Sequence, residues 1–238
     1  MLRHMNLINI SEQILLAVKT KEPTDSFVSV LENTSEEKIR NDLTSDNLKK
    51  VFWINLYNAF TQIILSGDPS KYKSRSSFFG RRQIIIAGIK LSLDDIEHGL
   101  LRRSEIKWSA GYFNKLFPSK FEKENQVNTV DYRIHFALNC GAGSCPPIAF
   151  YDAEKLDKQL DIATEGYLKS EAQYDPVSNV MALPAIMGWF RRDFGGKQKM
   201  KAILKKLEII PGDTNPKITF KKYNWNLFPG NYKTENNE

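Results

Sequence analysis

The sequence predicts an α+β fold, a small and mainly antiparallel sheet packed by helices. Two observations carry this. Residues 47–66 are apolar almost all round a helix, which marks a helix buried in a core. Short β-branched or alternating runs then recur at residues 82–86, 89–91, 180–183 and 218–223, each bounded by turn residues. The 238 residues can bury a sizeable core and are read as one domain.

Residues 1–44 read as amphipathic helices, with caps expected at Thr24 or Asp25 and near Ser35. Ser45 or Asp46 caps the apolar helix, and Gly67 and Pro69 end it. That helix carries Asn55, Asn58 and Gln62 at spacing i, i+3, i+7. A solvent-facing stripe would normally hold lysine or glutamate, so uncharged amides on a buried helix call for internal hydrogen-bond partners. Either they bond neighbouring backbone, or Asn55 orients a catalytic or ligand group.

Ser92 and Asp95 have capping-box spacing and start a helix over residues 93–103. Glu97 lies beside the apolar stripe and is expected half-buried, whereas His98 shares a row with Asp94 and Arg102 that reads as solvated. Residues 108–121 look irregular. A helix capped by Asp152 runs to about Lys169, Pro184 opens another, and residues 199–208 form a further amphipathic helix. Residues 218–223 look like an edge strand, and the chain from Tyr232 to Glu238 reads as a disordered tail.

Both cysteines fall in residues 133–147, RIHFALNCGAGSCPP. Residues 133–140 alternate like a strand, with Cys140 on the apolar face and His135 and Asn139 on the other. Cys145 follows a glycine loop that can fold back toward His135. A cysteine nucleophile needs a base beside it and a third group holding that base. Cys145, His135 or His98, and Glu97 or Asn55 can fill those roles, with loop N–H groups of residues 141–144 as an oxyanion hole. The same residues also fit a zinc site, a redox pair, or two buried cysteines.

The net charge of +6 comes largely from lysines in the last forty or so residues, a pattern that suits a solvated face. Nucleic-acid binding is not expected, since no nucleic-acid motif accompanies the charge. There is no apolar run of transmembrane length and no signal-like segment, so a cytoplasmic location without membrane insertion is expected. No cofactor is expected, because neither a glycine-rich phosphate loop nor a dinucleotide fingerprint is present.

FWINLYNAF, LSLDDIEHGLLR, RIHFALNCGAGSCPP and GWFRRDFGG, in that order, resemble the signatures of the domain of unknown function 547 family, and KITFKKYNWNL resembles its tail. The resemblance spans about residues 51–227 and implies one intact domain. It implies functional weight at Asn55, Tyr57, Asn58, Glu97, His98, Arg102, His135, Asn139, Cys140, Gly141, Cys145, Arg192 and Asp193, and brings no settled activity. A buried helix followed by strands and a histidine also resembles, remotely, the papain and transglutaminase architecture, although this central helix has no cysteine. The expectation is a thiol-dependent hydrolase or acyltransferase acting on an amide or ester. The alternatives are a domain binding a peptide or small polar ligand, and a structural zinc site.

Overall fold

The computed structural model describes residues 5–233. Four helices lead the chain: α1 (Leu7–Thr20), α2 (Asp25–Glu32), α3 (Glu36–Asp42) and α4 (Asp46–Gly67). Caps set their starts. Ser35 Oγ accepts from Lys38 N, and Ser45 Oγ accepts from Leu48 N. Thr24 precedes α2 without a side-chain cap. α1 lays Ile10, Ile14 and Leu15 on α4, whose Phe52, Trp53, Ile54 and Leu56 are all fully buried.

A 3₁₀ turn (Pro69–Lys73) and the short α5 (Arg75–Gly80) lead to a hairpin of β1 (Ile84–Ile86) and β2 (Ile89–Leu91). Later come α6 (Lys120–Asn125), a 3₁₀ turn (Tyr132–Phe136), α7 (Leu156–Glu171), β3 (Gln173–Asp175), β4 (Val180–Leu183), α8 (Ala185–Trp189), α9 (Gly196–Lys206) and β5 (Lys217–Phe220). β4 pairs antiparallel with β3 and parallel with β5. The sheet structure is thus two separate pieces, one an antiparallel hairpin and one mixed. The fold is α+β, with helices dominant. The likeness to the papain and transglutaminase architecture finds no support in two such short sheets. β5 is an edge strand, as its alternation predicts, and β3 was not foreseen.

Four sequence expectations need correction. Residues 133–140 are not a strand: Tyr132–Phe136 is a 3₁₀ turn capped by Asp131, whose Oδ1 accepts from Arg133 N. The period-two division of faces does not survive: Ile134, Ala137 and Leu138 enter one apolar cluster and Phe136 the other, and His135 and Asn139 are buried as well. The helix after Asp152 begins only at Leu156; Asp152 instead holds the preceding turn, accepting from Glu154 N and Lys155 N. Residues 93–103 do begin on the expected reciprocal box, Ser92 N to Asp95 Oδ2 and Asp95 N to Ser92 Oγ, both 3.0 Å. From Asp95 to Leu101 the turn then widens to π geometry, with Arg102 N on Glu97 O and Ser104 N on Gly99 O. Of the expected disordered tail, Tyr232 pairs with Ile148 in a parallel bridge, and residues 234–238 lie outside the described residues.

The amide stripe of α4 settles where it points. Asn55 bonds both backbone groups of Tyr151, Asn58 bonds Ala137 O and Asn139 N, and Gln62 Oε1 accepts from Gly230 N. These amides take the place of strand neighbours for chain that is neither helix nor strand. Truncating Asn58 leaves two buried backbone groups unpaired at about 1–3 kcal/mol each. Asn58→Ala should therefore lower the unfolding free energy by roughly 2–6 kcal/mol in urea titration, far more than an exposed Asn→Ala.

Candidate functional site

A cavity of about 270 Å³ opens between the two apolar clusters, reached by Leu138 from one and Ile186 from the other. Glu97, His98, His135 and Cys140 line it. Its walls are strongly aromatic. Trp189 stacks on Trp225 with ring centroids 5.5 Å apart, and Tyr223 touches both rings. Phe79, Phe190 and Tyr57 extend the apolar lining, with Asp94 and Lys107 as the charged rim pair at 2.8 Å.

Behind the cavity, Arg102 is fully buried and binds three groups at once. Its guanidinium donates to Asp193 at 2.7 and 3.1 Å, to Glu105 at 2.5 Å and to His98 Nδ1 at 2.9 Å. Arginine can only donate, so His98 Nδ1 accepts and the ring proton sits on Nε2. His135 Nε2 lies 2.8 Å from Asp193 Oδ2, which assigns its proton to Nε2 as well. Burial, helped by Arg102, drives the His98 pKa well below its usual value, and burial also lowers that of His135, so both rings are neutral. Asp193 stays ionised because His135 and Arg102 together outweigh its burial. Glu105 moves the other way, pushed up to about 8 by burial and by the charge of Asp193. Phe190 stacks on His135 at 4.0 Å and lies 4.4 Å from the Arg102 guanidinium carbon. Gly111, with φ of +86°, passes so close that a Cβ there would sit 2.5 Å from Asp193 Oδ1.

His98 is therefore buried, not solvated. Arg102, from the same row, is buried with it, while Asp94 stays at the half-exposed rim. Glu97 is half-buried as expected. Tyr57 Oη donates to its Oε2 at 3.2 Å. Burial, reinforced by Asp94 and opposed by Arg102 and Lys107, pushes Glu97 up to about 7.

The thiol residues arrange differently from the sequence expectation. Cys140 and Cys145 form a disulfide, with Cα atoms 6.2 Å apart. Cys140 faces the cavity and Cys145 is the buried partner, the reverse of the faces that strand alternation assigns. Asn139 frames the loop, donating to Pro146 O and accepting from Gly141 N. The remaining loop N–H groups offer no oxyanion hole: Gly143 N and Ser144 N donate to Asn226 O and Asn224 O, and Ala142 N faces Cys145 Sγ. Gly141, at φ of +82°, makes the turn and leaves room for Leu65, 2.6 Å from where its Cβ would be. Of the expected site residues, the cavity gathers Tyr57, Glu97, His98, His135 and Cys140. Arg102 and Asp193 stand directly behind. Asn55, Asn58 and Asn139 hold backbone instead, Cys145 touches the cavity only through its bond, and exposed Arg192 lies over Tyr112. Tyr223, Trp225, Trp189 and Glu105 escaped notice as site residues. The first two sit in KITFKKYNWNL, whose paired aromatics after an edge strand were the available signal.

Much of the chain that builds this α+β fold and its cleft matches a family model. The family model described as "Protein of unknown function, DUF547" matches residues 41–168, and the chain belongs to that family. The match covers the motifs around Asn55, Glu97 and His135 and stops before the Asp193 motif. No curated protein and no solved structure matches the chain.

Two outcomes follow. Asp193→Ala removes both partners of a fully buried guanidinium edge and should destabilise the fold by about 3–5 kcal/mol in denaturant titration, as expected when one member of a buried ion pair is lost. Glu97 gives a pH signature. Its pKa is raised on folding, so between about 4.5 and 7 the folded chain holds more protons than the unfolded one, and stability falls as pH rises. Above 7 the penalty is complete. Glu97→Gln removes it, and should raise the melting temperature at pH 8 while changing little at pH 4.5.

Proposed function

We propose that the cavity binds a small polar ligand or short peptide with an aromatic or apolar body, and that Glu97 exchanges a proton with it. The observation that carries this is a carboxyl group lifted to about 7 inside an aromatic-walled cleft. Perturbed titratable groups in an apolar pocket with a few convergent polar atoms are the usual mark of a binding or catalytic site. Near neutral pH Glu97 can receive a proton from a cationic ligand or donate one to an anionic ligand. The neutral imidazoles of His98 and His135 add fixed hydrogen-bonding groups without charge. Their orientation is held by Arg102 and Asp193 rather than by the ligand, so the site is preorganised.

The rival reading is a thiol-dependent hydrolase or acyltransferase. It requires a free thiolate paired with a histidine. Cys145 is bonded to Cys140, and its hydrogen-bond neighbours are Tyr223 and backbone N–H groups, not a ring nitrogen. A zinc site would draw its thiolates from the same two sulfurs. These observations favour ligand binding over both. A lasting disulfide also fits an oxidising compartment, or a redox role, better than the reducing cytoplasm. No helix among the described residues is long and apolar enough to cross a membrane.

A panel of phenylalanine dipeptides with cationic, neutral and anionic ends, read by tryptophan fluorescence, tests the proposal. Binding of at least one class should change with a midpoint near pH 7 in the native chain. Trp189→Ala should weaken it at every pH, and Glu97→Gln should flatten the pH profile. Equal, pH-independent signals from all dipeptides, unaltered in both variants, would remove the site from consideration.

A further inference from the structure

The two sulfurs of the Cys140–Cys145 bond have unequal surroundings. Cys140 is half-buried and lines the cavity, whereas Cys145 is 5 % exposed and does not. Three donors surround the Cys145 sulfur: Cys140 N at 3.0 Å, Ala142 N at 3.4 Å and Tyr223 Oη at 3.2 Å. Tyr223 Oη also lies 3.3 Å from Cys140 Sγ. A disulfide sulfur is a weak acceptor. The same donors become strong partners only when Cys145 carries negative charge, because hydrogen bonds to an ionised acceptor are roughly twice as strong as neutral ones. Such a shell stabilises a thiolate leaving group more than the bonded state, the differential that accelerates a reaction.

We propose that this pair is a thiol–disulfide exchange centre, with Cys140 as the attacked sulfur and Cys145 as the leaving group, acting on small molecules or peptides that carry two thiols. It rests on the cleft being a ligand site, since the substrate must reach Cys140 through it. In the first step a substrate thiolate attacks Cys140 Sγ. A substrate–Cys140 mixed disulfide forms, the Cys140–Cys145 bond breaks, and its electron pair passes to Cys145 Sγ as a thiolate inside the three-donor shell. In the second step the other substrate thiolate attacks the substrate sulfur of the mixed disulfide. The substrate leaves as a disulfide, and Cys140 takes the electron pair as its thiolate. The substrate dithiol loses two electrons and two protons, and the protein pair gains both. In-line approach explains why the cavity side holds Cys140 and why Tyr223 reaches both sulfurs: the hydroxyl can follow the charge as it moves from one to the other. A disulfide serving only to close the loop needs neither asymmetric access nor donors on the buried sulfur.

The test uses the oxidised full chain with reduced glutathione, quenched in acid and analysed by mass. The expected product is a glutathione adduct on Cys140, formed without denaturant. In the reduced Cys140→Ser variant, ultraviolet thiolate absorbance should give Cys145 a pKa below the ordinary value of about 8.5. Tyr223→Phe should raise that pKa and slow reduction by on the order of tenfold, the worth of one hydrogen bond to a charged acceptor. Reduction only after denaturation, an adduct on Cys145, or a Cys145 pKa at or above about 8.5 would each reduce the pair to a structural staple. If Tyr223→Phe does not fold, the Cys140→Ser measurement decides alone. The dipeptide titration uses no thiol, so loss of exchange chemistry and loss of ligand binding are separately visible.

Discussion

Everything near the cleft depends on one buried cation. Arg102 has no exposed surface and gathers His98 and Glu105 from its own segment and Asp193 from a distant one. A buried guanidinium left unpaired is costly, so these partners are not optional. Burial and this arrangement together decide which groups are charged: Asp193 is an anion, both histidines are neutral, and Glu105 is driven up by its burial and by the charge of Asp193. The cavity therefore faces the ligand with neutral rings and the Glu97 carboxyl, with the Asp94–Lys107 ion pair at its rim, while Arg102 and Asp193 stay behind the wall.

The polypeptide around that hub is held by unusual means. Residues 137–151 and Gly230 have few strand or helix neighbours, so their backbone groups would be unsatisfied in a core. Asn55, Asn58 and Gln62 supply those partners from a single helix face. Side-chain amides thereby let irregular chain, including the cysteine loop, pack against the most apolar helix of the protein.

Much of this was legible from residue types alone. The caps at Ser35 and Ser45, the buried 22-residue α4, the Ser92–Asp95 box and the half-buried Glu97 all follow from local chemistry that tertiary structure leaves intact. A strand does not form at residues 133–140 because alternation of apolar types marks which side chains are buried, not the backbone that delivers them. The same reading put Cys140 on the core face, whereas it lines the cavity. His98 reads as solvated because it shares a row with charged Asp94 and Arg102, whereas Asp193 and the segment around it cover that row from His98 onward. Tyr223 and Trp225 reach the cleft from a distant segment, and only the tertiary fold brings them there.

The π turn also bears on how this segment can change over time. A widened turn amounts to one residue inserted into a helix, and its removal would swing everything beyond it by about 100° about the axis. His98 and Arg102 could no longer both meet the hub, although every side chain in it would survive. The region from Asp95 to Leu101, in which no residue is exposed, should thus tolerate no single-residue insertion or deletion even where every side chain of the hub is kept. Length, as much as composition, is the quantity this segment keeps fixed.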